Sequence, residues 1–280
     1  MKKFVFNHFR PLMAIAATAI SAVISGHATA QTAPEVTLTR LDCGTPTNND
    51  VSVRFTDTYA YTAGQKVLFT YSCYLIKHGE DYLLWDTGHS MNAGAVAPKV
   101  SIVDQLAQLK IKPEQIKFVG ISHYHADHTG QVASFLAATV LIGKGDWDAI
   151  TATKPNPGVN VAPFAHWASG AGKLEALPGD KDVFSNGLVV IINTPGHTPG
   201  HHSLLVRLKE KGNVLISGDA AHFHENYESN GVPSFNVNRG DTIASLDRIK
   251  KIAANLKATV IIQHDARDID KLPAFPAAAK

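Results

Sequence analysis

The chain reads as one mixed α/β domain behind a short targeting segment, and three observations carry that reading. Strand-like apolar runs alternate with helical patterns, without internal repeats or low-complexity blocks. Clusters of His and Asp follow directly on strand candidates, at His123, His197, Asp219 and His264. What remains after the targeting segment, Gln31 to Lys280, has ordinary globular composition and a length that suits one sizeable domain.

The elements follow in order. Lys2, Lys3 and Arg10 form a basic start, Leu12 to Ile24 an apolar run, and Ala28-Thr29-Ala30 a small-residue cleavage site before Gln31. The run is short and rich in Ala, Ser and Thr for a membrane anchor. Cleavage after Ala30 is the expectation, with a periplasmic or secreted product that makes no stable membrane insertion. Of 26 Lys and Arg residues three fall in this segment and none of the 24 Asp and Glu, leaving 23 against 24, or about −1. A near-neutral surface argues against nucleic acid or anionic lipid as partner.

Cys43 and Cys73, the only cysteines, each lie in a strand candidate. Export permits a disulfide between them; two buried thiols on neighbouring strands are the alternative, and the exported context favours the bridge. Val67 to Lys77 and Tyr82 to Trp85 are strands joined by the turn His78-Gly79-Glu80-Asp81. Ser101 opens a helix with Asp104 three residues on, and Leu106 and Leu109 continue its apolar face. Lys117 to Ser122, Leu188 to Asn193, Ser203 to Leu208 and Val214 to Ser217 are further strands. Ile243, Leu246, Ile249, Ala253 and Leu256 recur at helical spacing, and Ala258 to Ile262 is a last strand ending just before His264. Strand ends opening into loops are where α/β proteins assemble sites. Four strands that deliver ligand-type side chains to one edge are hard to explain by packing.

After Ser122, His123-Tyr124-His125-Ala126-Asp127-His128 packs three imidazoles and a carboxylate into six residues. In extended backbone, positions two apart project to one side, so His123 and His125 can hold one metal while Asp127 and His128 face a second. Imidazole with carboxylate suits zinc, and iron, cobalt or manganese accept similar coordination. A lone histidine would be read as a surface or hydrogen-bonded core residue; this spacing is read as a metal site.

The pattern resembles the metallo-β-lactamase superfamily, and the later motifs appear in the matching chain order. Thr194-Pro195-Gly196-His197-Thr198-Pro199-Gly200-His201, Ser217-Gly218-Asp219-Ala220 and Ile262-Gln263-His264-Asp265 are similar to its remaining ligand segments. Trp85-Asp86-Thr87-Gly88 is similar to the element whose aspartate supports a ligand histidine. The resemblance implies a four-layer αβ/βα sandwich with two divalent ions, zinc first among them. It assigns His123, His125 and His197 to the first ion and Asp127, His128 and His264 to the second, with Asp219 between. Two cations lower the pKa of a shared water towards neutrality, which implies a hydrolase.

Within the superfamily, Asp219 argues against true β-lactamases and His125 against the di-iron oxygen reductases. Glyoxalase II shares all seven ligands, but its Gly-Asp-Thr-Leu-Phe segment is replaced by Gly218-Asp219-Ala220-Ala221-His222. The N-acyl-homoserine lactonases, enzymes of quorum quenching, are the best match. Their likeness rests on Cys73-Tyr74-Leu75-Ile76 leading to Trp85-Asp86-Thr87-Gly88, on Gly218-Asp219-Ala220 followed by Glu225-Asn226, and on Gln263-His264-Asp265. The implied reaction opens a homoserine lactone, with Asp127 carrying a proton to the leaving alkoxide. Well-known members have a tyrosine three residues after the bridging aspartate; here that place is His222, which can also donate to an oxyanion or mark a shifted substrate. The alternatives are a glyoxalase II-like thioesterase, another metal-dependent esterase or phosphotriesterase, and a catalytically idle metal-binding module.

Other histidines take plainer readings. His78 is a turn residue, His89 and His166 lack a companion at ligand spacing, and His201 and His202 are not needed as ligands. Phe164, His166 and Trp167 share a Pro- and Gly-rich loop that either lines a substrate pocket or tucks its aromatics under a solvent loop; the two readings stand level.

Overall fold

A computed structural model of the chain describes residues 1–5, 7, 34–156 and 158–280. The expected signal, residues 1–30 with cleavage after Ala30, lies outside the described residues except for its first few. Among the described residues every element falls in the unit Pro34–Lys280, and no helix is long and apolar enough to cross a membrane.

Two sheets form the centre. Strands β1 (Val36–Asp50), β2 (Lys66–His78), β3 (Asp81–Trp85), β4 (Ile116–Ile121), β5 (Thr139–Gly143) and β6 (Leu174–Leu177) make a six-stranded sheet in that order. The first three are antiparallel; β3 to β6 run parallel. Strands β7 (Lys181–Asp182), β8 (Val189–Asn193), β9 (His202–Leu208), β10 (Gly212–Ile216) and β11 (Thr259–Ile261) make a five-stranded sheet, ordered β11-β10-β9-β8-β7. It is antiparallel apart from the β10/β11 pair.

The side-chain period of two explains why these strands read as unbroken apolar runs: both faces are covered. Leu204, Val206, Val214 and Ile216 join Leu38, Ile76, Leu83 and Trp85 in a core between the sheets. Their neighbours Leu205 and Leu215 turn outward to meet Leu246 and Ile249 of helix α5 (Arg239–Leu256). On the outside of the six-stranded sheet, Val119, Ile121 and Val140 pack with Ile102 and Leu106 of helix α1 (Ile102–Gln108). Helix, sheet, sheet, helix is the four-layer arrangement expected. The Ser101 hydroxyl caps α1 by accepting from the Asp104 amide, and the Asn238 side chain caps α5 by accepting from the Asp241 amide. Cys43 and Cys73 are bonded, joining β1 to β2 with Cα atoms 5.8 Å apart.

Candidate metal centre

The ligand-type residues all lie just past the C-terminal ends of strands. β4 ends at Ile121 and delivers His123 and His125; the short helix α2 (Ala126–Thr129) then presents Asp127 and His128. The loop after β8 carries His197, the turn after β10 carries Asp219, and the segment after β11 carries His264. Strands from both sheets thus converge on one edge.

Two sets of donors result. In the first, His125 Nδ1 lies 2.9 Å from His123 Nε2 and 3.1 Å from His197 Nε2, and Asp219 Oδ2 is 3.6 Å from the Nε2 atoms of His123 and His197. In the second, Asp219 Oδ1 is 3.3 Å from His128 Nε2 and 3.0 Å from His264 Nε2, with Asp127 Oδ2 3.6 Å from each ring. Within each set the donor atoms lie no more than 4.8 Å apart. Donors about 2.0–2.2 Å from a tetrahedral zinc stand about 3.3–3.6 Å from one another, so the spacing fits such an ion. One oxygen of Asp219 serves each set. The arrangement is a His/Asp cluster for two divalent cations.

Hydrogen bonds at the outer nitrogens turn the rings to face inward. His128 Nδ1 donates to Asp86 Oδ2 at 2.8 Å, and His264 Nδ1 donates to the Thr70 carbonyl at 2.9 Å. Both partners only accept, so in the neutral rings the bare Nε2 faces the cluster. Asp86, with φ 60° at the end of β3, also accepts from the Ser122 amide at 2.7 Å and its hydroxyl at 2.8 Å. The buried Nε2 of His128 and Oδ1 of Asp219 find no well-aligned hydrogen-bond partner among the described residues. A bound cation would satisfy both.

Asp219 is placed by a contact that sequence patterns do not reveal. Gly218 has φ +53°, and a Cβ there would come within 2.6 Å of His201 Nε2. His201 Nε2 accepts the Asp219 amide at 2.9 Å, while its Nδ1 donates to the Thr194 carbonyl at 2.9 Å. Burial pushes His201 down to about 3, which keeps Nε2 bare as an acceptor.

The electrostatics divide the cluster. Burial drives His123 and His197 well below the ordinary imidazole value, so their rings are neutral. Burial also opposes charge on His128, yet the carboxylates of Asp219, Asp127 and Asp86 hold it well above that value. His264 is raised likewise by Asp219 and Asp127 against its burial. Asp219 itself is kept far below the usual carboxylate range, because the imidazoles of His264, His128 and His222 outweigh its desolvation. Without metal, protons supply the positive charge that these carboxylates require.

A cavity of about 450 Å³ opens over the cluster, with Asp127, Asp219, His222 and His264 in its lining. His222 is buried, its Nε2 3.2 Å from Asp219 Oδ2 and its ring stacked 5.5 Å from that of His264. Neither His222 nitrogen has a hydrogen-bond partner among the described residues.

The sequence profile of the metallo-beta-lactamase superfamily matches residues 67–264. The chain belongs to this superfamily. The matched stretch runs from the start of β2 to His264 and includes all seven donors. The chain is 28% identical over 232 residues to an N-acyl homoserine lactonase of a Bacillus species, covering 77% of this chain and 89% of that protein. It is 32% identical over 193 residues to the N-acyl homoserine lactonase AttM of Rhizobium radiobacter, covering 62% of this chain and 69% of that one. In fold it is similar to an N-acyl homoserine lactone hydrolase solved with N-hexanoyl-L-homoserine at its catalytic metal center. That likeness has a TM-score of 0.73 at 24% identity, over 88% of this chain and 99% of the other. Membership together with the two lactonase relatives makes this chain a superfamily hydrolase.

One expectation needs correcting. Phe164 and Trp167 do not line the cavity; both are buried in the core outside the six-stranded sheet, and half-buried His166 sits apart from the cavity lining. The segment forms helical turns, including α4 (Ala165–Ala168), and Phe164 packs edge-on against Trp147. The apolar wall comes instead from Val51, Val53, Phe55, Phe69, Tyr71 and Phe235. His89, a plain loop residue by spacing, also lines the cavity, edge-on to Tyr71 at 4.5 Å. The alternation of Val51, Val53 and Phe55 in a polar stretch is the signal that would have pointed to this wall.

Proposed function

We propose that this hydrolase is a dinuclear metal-dependent lactonase that opens the ring of N-acyl homoserine lactones, with zinc as its metal. The observation that carries the reading is the division of the Asp219 oxygens between two donor sets beneath a cavity with an aromatic wall. The two lactonase relatives support the substrate class. His123, His125, His197 and Asp219 would hold one ion, and Asp127, His128, His264 and Asp219 the other. When bound, such a pair supplies Lewis acidity and an activated water at neutral pH.

The chain's own residues supply the rest. Asp127 is the least enclosed carboxylate of the cluster, with its side chain 22% exposed. It can take the proton of the attacking water and return it to the ring oxygen as the acyl carbon–oxygen bond breaks, giving the hydroxy acid. His222, whose nitrogens have no well-aligned hydrogen-bond partner among the described residues, can donate to the carbonyl oxygen as charge develops there. Phe55, Phe69, Tyr71 and Phe235 receive the acyl chain and keep water from it.

Export belongs to the same proposal. It is supported by the basic, apolar and small-residue pattern of residues 1–30 and by the Cys43–Cys73 bond, which an oxidising compartment favours. Purified, metal-loaded protein should be tested on acyl-homoserine lactones, simple lactones, a glutathione thioester and a phosphotriester. The acyl-homoserine lactones should have the highest kcat/KM. Negligible turnover of them beside strong turnover of another class would overturn the substrate assignment.

A further inference from the structure

We propose that Asp146 is a positioning residue for the first donor set, locking the loop of His123 and His125 to the loop of His197. The proposal rests on the two-set reading of the cluster and is independent of the lactone. Asp146 lies in the first turn of helix α3 (Lys144–Ile150) and is fully buried. Its Oδ2 accepts from the Tyr124 amide at 3.0 Å and the Thr198 hydroxyl at 2.8 Å; its Oδ1 accepts from the Gly200 amide at 2.6 Å. Tyr124 stands between His123 and His125, and Thr198 follows His197. One carboxylate therefore ties together ligand loops that leave different sheets.

A helix cap or a packing residue would not need this chemistry. A buried carboxylate without a cationic partner is costly unless its lone pairs are filled, and here three donors fill them. Burial pushes its carboxyl up to about 7 against the pull of the same three donors. The backbone is fitted to the task as well. A Cβ on Gly143 would lie 1.8 Å from the Gly200 carbonyl oxygen, so only glycine lets this segment approach the His197 loop.

The two donor sets differ in how their rings are aimed. In the second, His128 and His264 are oriented directly, through Nδ1 bonds to Asp86 and Thr70. In the first, His123 Nδ1 is bonded to the Ser122 hydroxyl at 3.1 Å, but His197 Nδ1 has no partner among the described residues, and Nδ1 of His125 is itself the inward-facing atom. Placement of the His125 and His197 rings thus depends on the main chain being held, and the Asp146 carboxylate bonds both loops.

The test isolates each set. His264→Ala leaves the first set and His197→Ala the second, and zinc affinity is measured in each by chelator competition, with and without Asp146→Asn. Asn offers one acceptor oxygen and places an amide donor against N–H or O–H groups. Zinc affinity should fall about 10- to 100-fold in the His264→Ala background and stay within about twofold in the His197→Ala background. A general loss of structure would weaken both. Thr198→Val, which removes one donor and leaves the carboxylate, should show the same selectivity at smaller size and decides the matter if the Asn variant does not fold. Unchanged affinity in the His264→Ala background, or equal weakening in both, overturns the proposal. Failure of the unmutated chain to bind zinc would instead overturn the two-metal reading.

Discussion

Asp86→Asn removes a charge that is completely buried and accepts three hydrogen bonds, from the Ser122 amide, the Ser122 hydroxyl and His128 Nδ1, at 2.7–2.8 Å. Asn retains one acceptor oxygen and turns an NH₂ group towards at least one of these donors. A charge-assisted bond is worth about 1.5–3 kcal/mol, and a buried donor left unpaired costs about 1–3 kcal/mol. Part of the loss is recovered by relaxation, so about 2–4 kcal/mol of stability should go. At about 2 °C per kcal/mol for a domain of this size, the melting midpoint should fall by about 4–8 °C. The second consequence is specific to the site. With His128 free to rotate, the second donor set loses its preset nitrogen, and zinc affinity should weaken about 10- to 100-fold. Thermal unfolding of the metal-free protein reads the first effect and chelator competition the second. A variant that unfolds earlier yet binds its second zinc as tightly as before would refute the orienting role of Asp86.

Phe235→Ala should raise KM for long-chain acyl-homoserine lactones several-fold while leaving short-chain substrates and kcat nearly unchanged, because Phe235 is in the cavity wall. Phe164→Ala should leave both KM values alone and destabilise the fold by about 3–5 kcal/mol, as loss of a fully buried phenylalanine does; urea titration and steady-state kinetics separate the two. Zinc affinity should fall as pH drops, because protons compete for the Nε2 atoms of His128 and His264, whose pKa values in the metal-free fold are raised. The matching stability contribution of these two groups in the metal-free protein has the opposite sense: it is present below the unfolded imidazole value and lost as pH rises through the folded values. Zinc titrations from pH 5.5 to 8 check the direction, and a flat profile would contradict it.

Much of the site was legible because its donors follow apolar runs and so announce strand ends. His123, His125, Asp127 and His128 have their spacing written in one segment, and Asp86 sits in a turn after an equally clear strand. The packed layers were legible for a related reason: runs such as those of β9 and β10 lack alternation because both faces are covered. Partners that meet across long sequence distances were not legible. Asp146 reaches Gly200 across 54 positions and His201 supports Asp219 across 18, and each does so through a backbone amide, which has no residue type to recognise. The cavity wall was not legible for a different reason. Phe164 with Trp167, and Phe55 with Phe235, are both aromatic pairs near loops. Only tertiary packing sends the first pair under the sheet and the second to the cavity.

The most direct test of the central claim is the initial rate of ring opening of N-hexanoyl-homoserine lactone, followed by proton release, for the zinc-loaded chain and its Asp219→Ala variant. Asp219 is the one residue that contributes an oxygen to both donor sets. The account predicts rapid opening by the unmutated chain and a fall of at least about a thousandfold, about 4 kcal/mol of barrier, in the variant. Equal rates in the two proteins, or no opening by the unmutated chain, would contradict it.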